Sequence, residues 1–299
     1  MSPLLLVHGG AANDADGSHI QAKQDATEAS CQAADLQRGA LDLVETAASN
    51  LENAPVLNAG YGSVVQLDGR IRTDAAICGS DGDYAAIANV EHIRNPVQLS
   101  RRLMAYGYHS ILAGEGAQHF AREEGFSAES LFTDKALDDY QRARESYPCL
   151  SYDSLAADKQ GHNHQKLSTI GAVAVDRHGR LAAACSTGGT KYCYPGRVGD
   201  TPVFGAGLYC TDHVAIACTG EGDKILRRLS ARRAAEHFEN YGDIQAALDH
   251  AVNDLGEVES GYIGMIAVQN DGTSAVSYNT GFMAYAMTDL DKAKLKILE

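Results

Sequence analysis

A threonine at position 169 sits between a polar stretch and an apolar run, in Ser168-Thr169-Ile170-Gly171-Ala172-Val173. If the chain is cut before it, this residue carries both a hydroxyl and a free α-amino group. An α-amino group ordinarily titrates at about 7.7–8.0, so it can take the hydroxyl proton near neutral pH. One residue then supplies nucleophile and base, an alternative to a Ser–His pair for attack on an amide carbonyl. Taken alone, however, a threonine that opens a strand is ordinary. Arg197 and Asp200, three apart in a loop, read by themselves as a surface ion pair worth under ~1 kcal/mol. The pairs Thr187-Gly188 and Thr219-Gly220 read by themselves as turns, with glycine permitting positive φ. Residue types leave both readings open at each position.

The elements that would hold these residues follow from apolar periodicity. Leu4 to Val7 predicts a short buried strand ending at the loop His8-Gly9-Gly10-Ala11. Helical spacing runs from Ile20 to Asn53 with a break at Gly39, and Asn58-Ala59-Gly60-Tyr61-Gly62 reads as a loop. Strand-like runs at Ser63–Leu67, Ile71–Cys78 and Tyr84–Val90 are separated by Asp-Gly turns. Asn95-Pro96 opens a helical region that continues, with interruptions, to about Arg144.

Residues 146–168 lack apolar periodicity and carry the polar run Asp158 to Lys166, which predicts a mobile linker. His162 and His164 in it have no cysteine or carboxylate at ligand spacing, so a solvated linker explains them better than a metal. Beyond it, strands are expected at Thr169–Asp176, Leu181–Ser186, Val203–Tyr209 and Val214–Cys218. Helices follow at Asp223–Asn240 and Asp243–Leu255, then strands at Tyr262–Gln269 and Thr273–Tyr278. Strands, then helices, then strands imply an α+β architecture of two antiparallel sheets packed together and covered by helices.

The chain has 299 residues, of which 44% are hydrophobic and 21% charged, enough for a sizeable core. A formal net charge of −14 argues against nucleic acid or an anionic membrane as partner, since both need clustered Lys and Arg. The seven cysteines include no C-x-x-C pair, and most lie in apolar runs, as expected of reduced core thiols. The first residues lack a basic segment and a long apolar run, and no stretch reaches the ~20 apolar residues a membrane span needs. A soluble cytoplasmic protein is the expectation. There is no G-x-G-x-x-G after a strand and no phosphate-binding loop of the G-x-x-x-x-G-K-[ST] kind.

Several ordered blocks point further. They are His8-Gly9-Gly10, Leu57 to Ser63, Asp74-Ala75-Ala76-Ile77, Thr169 to Ala174, Ser186-Thr187-Gly188-Gly189, Gly196 to Pro202, Gly205 to Tyr209, Thr219 to Asp223, and Asn279-Thr280 with Met283. In them, over nearly the whole length, the chain resembles the plant-type asparaginase / isoaspartyl peptidase family of threonine-dependent N-terminal-nucleophile hydrolases. The resemblance implies a four-layer αββα sandwich and self-cleavage, in which Thr169 attacks the carbonyl of Ser168. An α chain of residues 1–168 and a β chain of residues 169–299 would remain interleaved in one domain. Thr187 would orient the nucleophile, Thr219 and Gly220 would form the oxyanion hole, and Asn58 would shape that end of the pocket. Arg197 would hold the substrate α-carboxylate, while Asp200, assisted by the backbone of Gly220 and Gly222, would accept from the α-ammonium. The expected substrates are L-asparagine and β-aspartyl dipeptides.

No organic cofactor or catalytic metal is implied, though a structural sodium ion held by backbone carbonyls of loop 51–61 is, and so is a homodimer of αβ units. One departure concerns cleavage. Relatives carry Gly or Asp before the nucleophile where this chain has Ser168, whose Cβ narrows the backbone conformations of the scissile bond and predicts slower processing. Thr73 stands where relatives often have an acid. Two rival readings are a glycosylasparaginase-type amidohydrolase, which Thr169-Ile170-Gly171 and Gly222-Asp223 also resemble, and an unprocessed relative without catalysis.

Overall fold

Alternation along the first strand decides how the layers stack. The computed structural model describes residues 2–13, 17–146 and 169–289. Within strand β1 (Leu4–Ala12), Leu5 and Val7 face one core while Leu4 and Leu6 face another, because successive side chains of a strand point to opposite faces. The first core is closed by helix α2 (Ala40–Glu52), whose Leu43, Val44, Ala47 and Leu51 recur at helical spacing. The second core is closed by another sheet. Both faces of β1 are therefore buried, which explains its unbroken apolar composition.

The larger sheet has seven strands in the order β11-β1-β5-β6-β2-β3-β4. These are β1, β2 (Thr73–Gly79), β3 (Tyr84–Val90), β4 (Ile111–Ala113), β5 (Ile170–Val175), β6 (Leu181–Thr187) and β11 (Phe282–Asp289). The smaller sheet, ordered β10-β9-β8-β7, contains β7 (Leu208–Cys210), β8 (Val214–Gly220), β9 (Ile263–Gln269) and β10 (Ser274–Tyr278). Val173 and Cys185 of the first sheet pack on Ala215, Ala217, Ile266 and Val268 of the second. On the far side of the smaller sheet, Ile216, Cys218 and Met265 meet helices α7 (Ser230–Tyr241) and α8 (Ile244–Glu259), which follow the short α6 (Gly222–Arg228). Helices α1 (Gly17–Gln32), α3 (Pro96–Tyr106), α4 (Gly114–Glu123) and α5 (Asp134–Ser146) complete the described set. Among the described residues no helix is long and apolar enough to cross a membrane.

Two features of the large sheet bear on function. Residues before 147 and after 168 alternate in it, since β1 is hydrogen-bonded between β11 and β5, and β6 between β5 and β2. The chain on either side of position 169 is thus held together by sheet pairing as well as by the peptide bond.

The second feature is that β4 runs parallel to β3, against the expectation of wholly antiparallel sheets. Helix α3 carries the chain back before β4, and a crossover of that kind returns a strand in the same direction. Other sequence expectations also shift. β1 continues through His8-Gly9-Gly10 with a register irregularity between His8 and Ala11, where Gly10 takes φ 95. Ser63–Leu67 joins no sheet among the described residues: its backbone bonds the 192–193 turn instead, through Tyr192 N to Val65 O at 2.9 Å. The strand predicted at Val203–Tyr209 shrinks to β7, and the helix predicted at 223–240 breaks at Leu229, which takes φ 51. The linker predicted at 146–168, Ser168 and Cys149 lie outside the described residues, apart from Ser146 at the end of α5. The six described cysteines are buried and unbridged.

Candidate active site

Strand register brings Thr169 and Thr187 together. Thr169 directly precedes β5, one step beyond the Ile170–Ser186 pair, and so lies across from Thr187, the last residue of β6. Thr187 in turn pairs with Asp74 on β2. Strand alternation places Thr169, Thr187 and Asp74 on the face that bears Val173, Cys185 and Ala76, toward the smaller sheet. The two threonine hydroxyls are hydrogen-bonded at 3.2 Å, and Gly189 N donates to the Thr187 hydroxyl at 3.1 Å. Both threonines are buried, at 6% and 4% exposure.

Asn58 braces this end. Its Nδ2 donates to Gly189 O at 2.7 Å, its Oδ1 accepts from Val64 N at 3.0 Å, and its carbonyl accepts from Gly188 N at 2.9 Å. Gly188 must be glycine, because a Cβ there would meet Ser63 Oγ at 2.7 Å and Asn58 Oδ1 at 2.5 Å. The loop that carries Asn58 is itself gripped by Arg94. That side chain donates to Asn53 Oδ1 at 2.7 Å and lies 4.7 Å from the Tyr61 ring centre.

Opposite, β8 ends in Thr219-Gly220. Ala215 and Ala217 face the intersheet core, and the same alternation turns Thr219 toward the threonine pair. Its hydroxyl is fully buried and has no hydrogen-bond partner among the described residues, a costly state for a buried polar group. Gly220 takes φ 143, and a Cβ on it would collide with Tyr262 O. Glu221 fixes this turn, accepting from Tyr262 N at 2.8 Å and donating its own N–H to Tyr262 O at 2.9 Å.

The cation and acid predicted as a clamp also converge here. Asp200 is 4% exposed, its Oδ2 has no hydrogen-bond partner among the described residues, and burial pushes its carboxyl up to about 6 despite the opposing charge of Arg197. Glycines crowd both side chains. A Cβ on Gly222 would stand 2.5 Å from Asp200 Oδ1 and 2.9 Å from Arg197 Nη2, and one on Gly189 would lie 3.6 Å from Arg197 Nη1. Arg197 bonds Asp223 rather than Asp200, through Nη2–Oδ2 at 2.9 Å and Nε–Oδ1 at 3.3 Å. Burial opposes the guanidinium charge, but the Asp223 hydrogen bond and charge outweigh it and raise Arg197 above its ordinary value. Among the described residues Nη1, the edge toward Gly189, makes no hydrogen bond.

Every described residue expected at the site is thus found at one end of the intersheet space, and sequence reasoning missed three others. Asp223 pairs with Arg197 from 26 residues away. Asp74 is buried beside Arg197 and Asp200, where burial pushes it up to about 6. His8, fully buried, pairs in register with Gly171, whose missing Cβ leaves room for the imidazole. Burial lowers His8 to about 3, with the Thr169 backbone only partly offsetting it, so the ring beside Thr169 is neutral. His8 and Asp74 lie within quoted motifs, and Asp223 closes another, but only register and loop packing give them neighbours. Among the described residues no cluster of His, Cys, Asp and Glu could hold a metal ion.

Buried threonine hydroxyls beside a buried carboxylate and a guanidinium suit an amidohydrolase, the class that comparison with known proteins defines. A family model described as asparaginase matches residues 1–297, and the chain belongs to that family. It is 38% identical to the plant-type L-asparaginase of Pyrobaculum calidifontis, over 94% of this chain and 95% of that one. It is 34% identical to the isoaspartyl peptidase of Salmonella typhimurium, over 93% and 92% of the two chains. The isoaspartyl peptidase/L-asparaginase of Bos taurus is also 34% identical, over 96% and 93%.

Proposed function

We propose that this protein hydrolyses the side-chain amide of L-asparagine and the isoaspartyl bond of β-aspartyl dipeptides, with Thr169 as an N-terminal nucleophile freed by self-cleavage after Ser168. The carrying observation is the hydrogen bond between the Thr169 and Thr187 hydroxyls, which lies beside the unpartnered Thr219 hydroxyl. The α-amino group of Thr169 takes the hydroxyl proton as Oγ1 attacks the substrate carbonyl carbon. Thr187 orients Oγ1, and its own oxygen is fixed by Gly189 N. Charge on the carbonyl oxygen is met by the Thr219 hydroxyl and Gly220 N–H. Donors preset for charge that exists only in the tetrahedral state are worth roughly 10²–10³-fold each in rate. The C–N bond then breaks, and ammonia or an amino acid leaves with a proton from the α-ammonium. Water cleaves the β-aspartyl ester and restores the threonine.

Specificity comes from the substrate's amino-acid end. The open Nη1 edge of Arg197 receives the α-carboxylate, and unpartnered Asp200 Oδ2, with backbone from Gly220 and Gly222, receives the α-ammonium. A clamp with one charge of each sign requires a free α-amino acid end and rejects ordinary internal peptides.

The finer architecture is read the same way: an N-terminal-nucleophile αββα sandwich of one domain, with α chain 1–168 and β chain 169–299 joined through β1 and β6. A homodimer of αβ units and a cytoplasmic location complete the proposal. In loop 51–61 the carbonyls of Ala54, Ala59 and Gly60 each accept one backbone N–H, which leaves each oxygen a second lone pair. A structural sodium ion held by backbone carbonyls of this loop belongs to the same reading, and no catalytic step passes through it.

Ammonia release from L-asparagine and aspartate release from β-aspartyl dipeptides, measured for wild type and Thr169→Ala, test this function. Both substrates turn over in wild type and neither in the variant. Equal rates in the two proteins contradict it, as does turnover of an asparagine-linked sugar amide in preference to both.

A further inference from the structure

A cavity of about 150 Å³ borders the site on its Asn58 side, between α1, the 55–65 loop, the start of α5 and the turn after β6. That is room for a group the size of benzene. Pro55, Val56, Val64 and Ala136 supply an apolar wall, while Lys23, Lys135 and Lys191 line it with Asp139 as the one acid among the described lining residues. Lys191 Nζ and Lys135 Nζ donate to the same Asp139 oxygen, at 3.0 and 3.1 Å. One carboxylate thus serves two ammonium groups and does not exhaust their donors. An apolar cavity with a few charged groups suits an amphipathic ligand, and here the surplus charge is positive. Asn58 is common to cavity and site. It lines the cavity, yet its carbonyl accepts from Gly188 N and its Nδ2 donates to Gly189 O, the two residues after Thr187. Lys191 comes two residues later, so its Cα lies no more than about 14 Å from that of Thr187. Ser63 backs the same wall. It is fully buried, its hydroxyl has no hydrogen-bond partner among the described residues, and a Cβ on Gly188 would stand 2.7 Å from it.

We propose that this cavity receives the leaving amino acid of a β-aspartyl dipeptide, its apolar wall taking the side chain and Lys191 the terminal carboxylate. The proposal rests on the amidohydrolase reading and adds to it which dipeptides are preferred. The Arg197–Asp200 clamp holds the aspartyl half of a substrate, so the leaving half must be recognised by other groups. The cavity shares a wall with the site and carries the charge that complements a carboxylate. L-Asparagine loses only ammonia, which has neither side chain nor carboxylate, and makes no use of it. A dipeptide that ends in an apolar residue, such as β-aspartyl-leucine, meets both the wall and the lysine.

L-Asparagine, β-aspartyl-leucine and the C-terminal amide of that dipeptide separate cavity from clamp. In wild type, KM for the dipeptide is about 10-fold lower than for its amide, the gain expected of a hydrogen bond to a charged group. Lys191→Met keeps the stem and removes the ammonium. The dipeptide KM then rises about 10-fold to meet that of the amide, while the amide and L-asparagine stay within about twofold. Ala136→Phe fills the cavity from α5 and raises KM for dipeptide and amide alike, again without change for L-asparagine. A merely structural role would move all three substrates together, and that result overturns the proposal. So does a dipeptide KM within about twofold of wild type in both variants. If wild type turns over none of the three, calorimetry of β-aspartyl-leucine and its amide on wild type and Lys191→Met decides the subsite without catalysis. Tighter binding of the acid, lost in Lys191→Met, supports it, and no preference for the acid overturns it. Inactivity itself would count against the amidohydrolase reading alone.

Discussion

Thr169 and Thr187 face each other across neighbouring strands, with their hydroxyls 3.2 Å apart at the buried end of the space between two sheets. The Thr187 oxygen accepts from the Thr169 hydroxyl and from Gly189 N, so Gly189 fixes the oxygen that holds Thr169. The pair is built by register rather than by a loop, which makes its geometry rigid.

Thr187→Val preserves shape and removes only the hydroxyl. The expected result is a fall in kcat of about 10²-fold, the size of effect a misplaced reacting group produces. KM changes little, because Thr187 does not touch the clamp. Steady-state kinetics on L-asparagine measure both, and a rise in KM at constant kcat would refute this division of labour.

Arg197→Lys keeps the charge but loses the planar fork, and KM is expected to rise about 10- to 100-fold. Asp223→Asn acts the other way. Asp223 is 61% exposed and competes for the guanidinium, so its neutralisation lowers KM modestly. A large rise in KM for Asp223→Asn would mean that this acid itself binds substrate.

Asp200 must be ionised to accept from the substrate ammonium, and burial pushes it up to about 6. As pH falls through 6 the clamp loses its negative half, so kcat/KM drops on the acid side while kcat at saturation falls less. The profile of kcat/KM against pH checks this. A level profile down to pH 5 would place the ammonium on another group.

Glu52 gives a stability effect of opposite sense to that of a salt-bridged acid. Its buried carboxyl accepts from Val97 N at 3.1 Å and Asn95 Nδ2 at 3.2 Å, and burial pushes it up to about 8. With the folded value above the unfolded one, its contribution is full below the ordinary glutamate range and is lost as pH rises toward 8. The slope is at most about 1.4 kcal/mol per pH unit. The Tm advantage of wild type over Glu52→Gln therefore shrinks between pH 5 and 8, and a constant gap would contradict it.

What the sequence made legible follows from distance along the chain. α2 and the β5–β6 hairpin were readable because their apolar spacing is local, and Thr169 was readable as a strand start, whereas Thr187 and Thr219 read by themselves as turn residues and gained roles only through the resemblance to a family. β11 was not, because its partner is β1 at the opposite end of the chain. Ser63–Leu67 mimicked a strand, since bonding to a turn near 192 leaves the same alternation. The Arg197–Asp223 pair and the His8–Gly171 fit both depend on side-chain packing between distant segments, which spacing does not encode.

Ser168 is the least typical residue for the proposed cleavage, since its Cβ lies one bond from the carbonyl carbon that Thr169 would attack. Amino-terminal sequencing of the smaller fragment from purified, aged protein tests the central claim most directly. A fragment that begins Thr169-Ile170-Gly171, appearing over time as full-length chain disappears, is the predicted result. Full-length chain alone, in a preparation that still releases ammonia from L-asparagine, would contradict it.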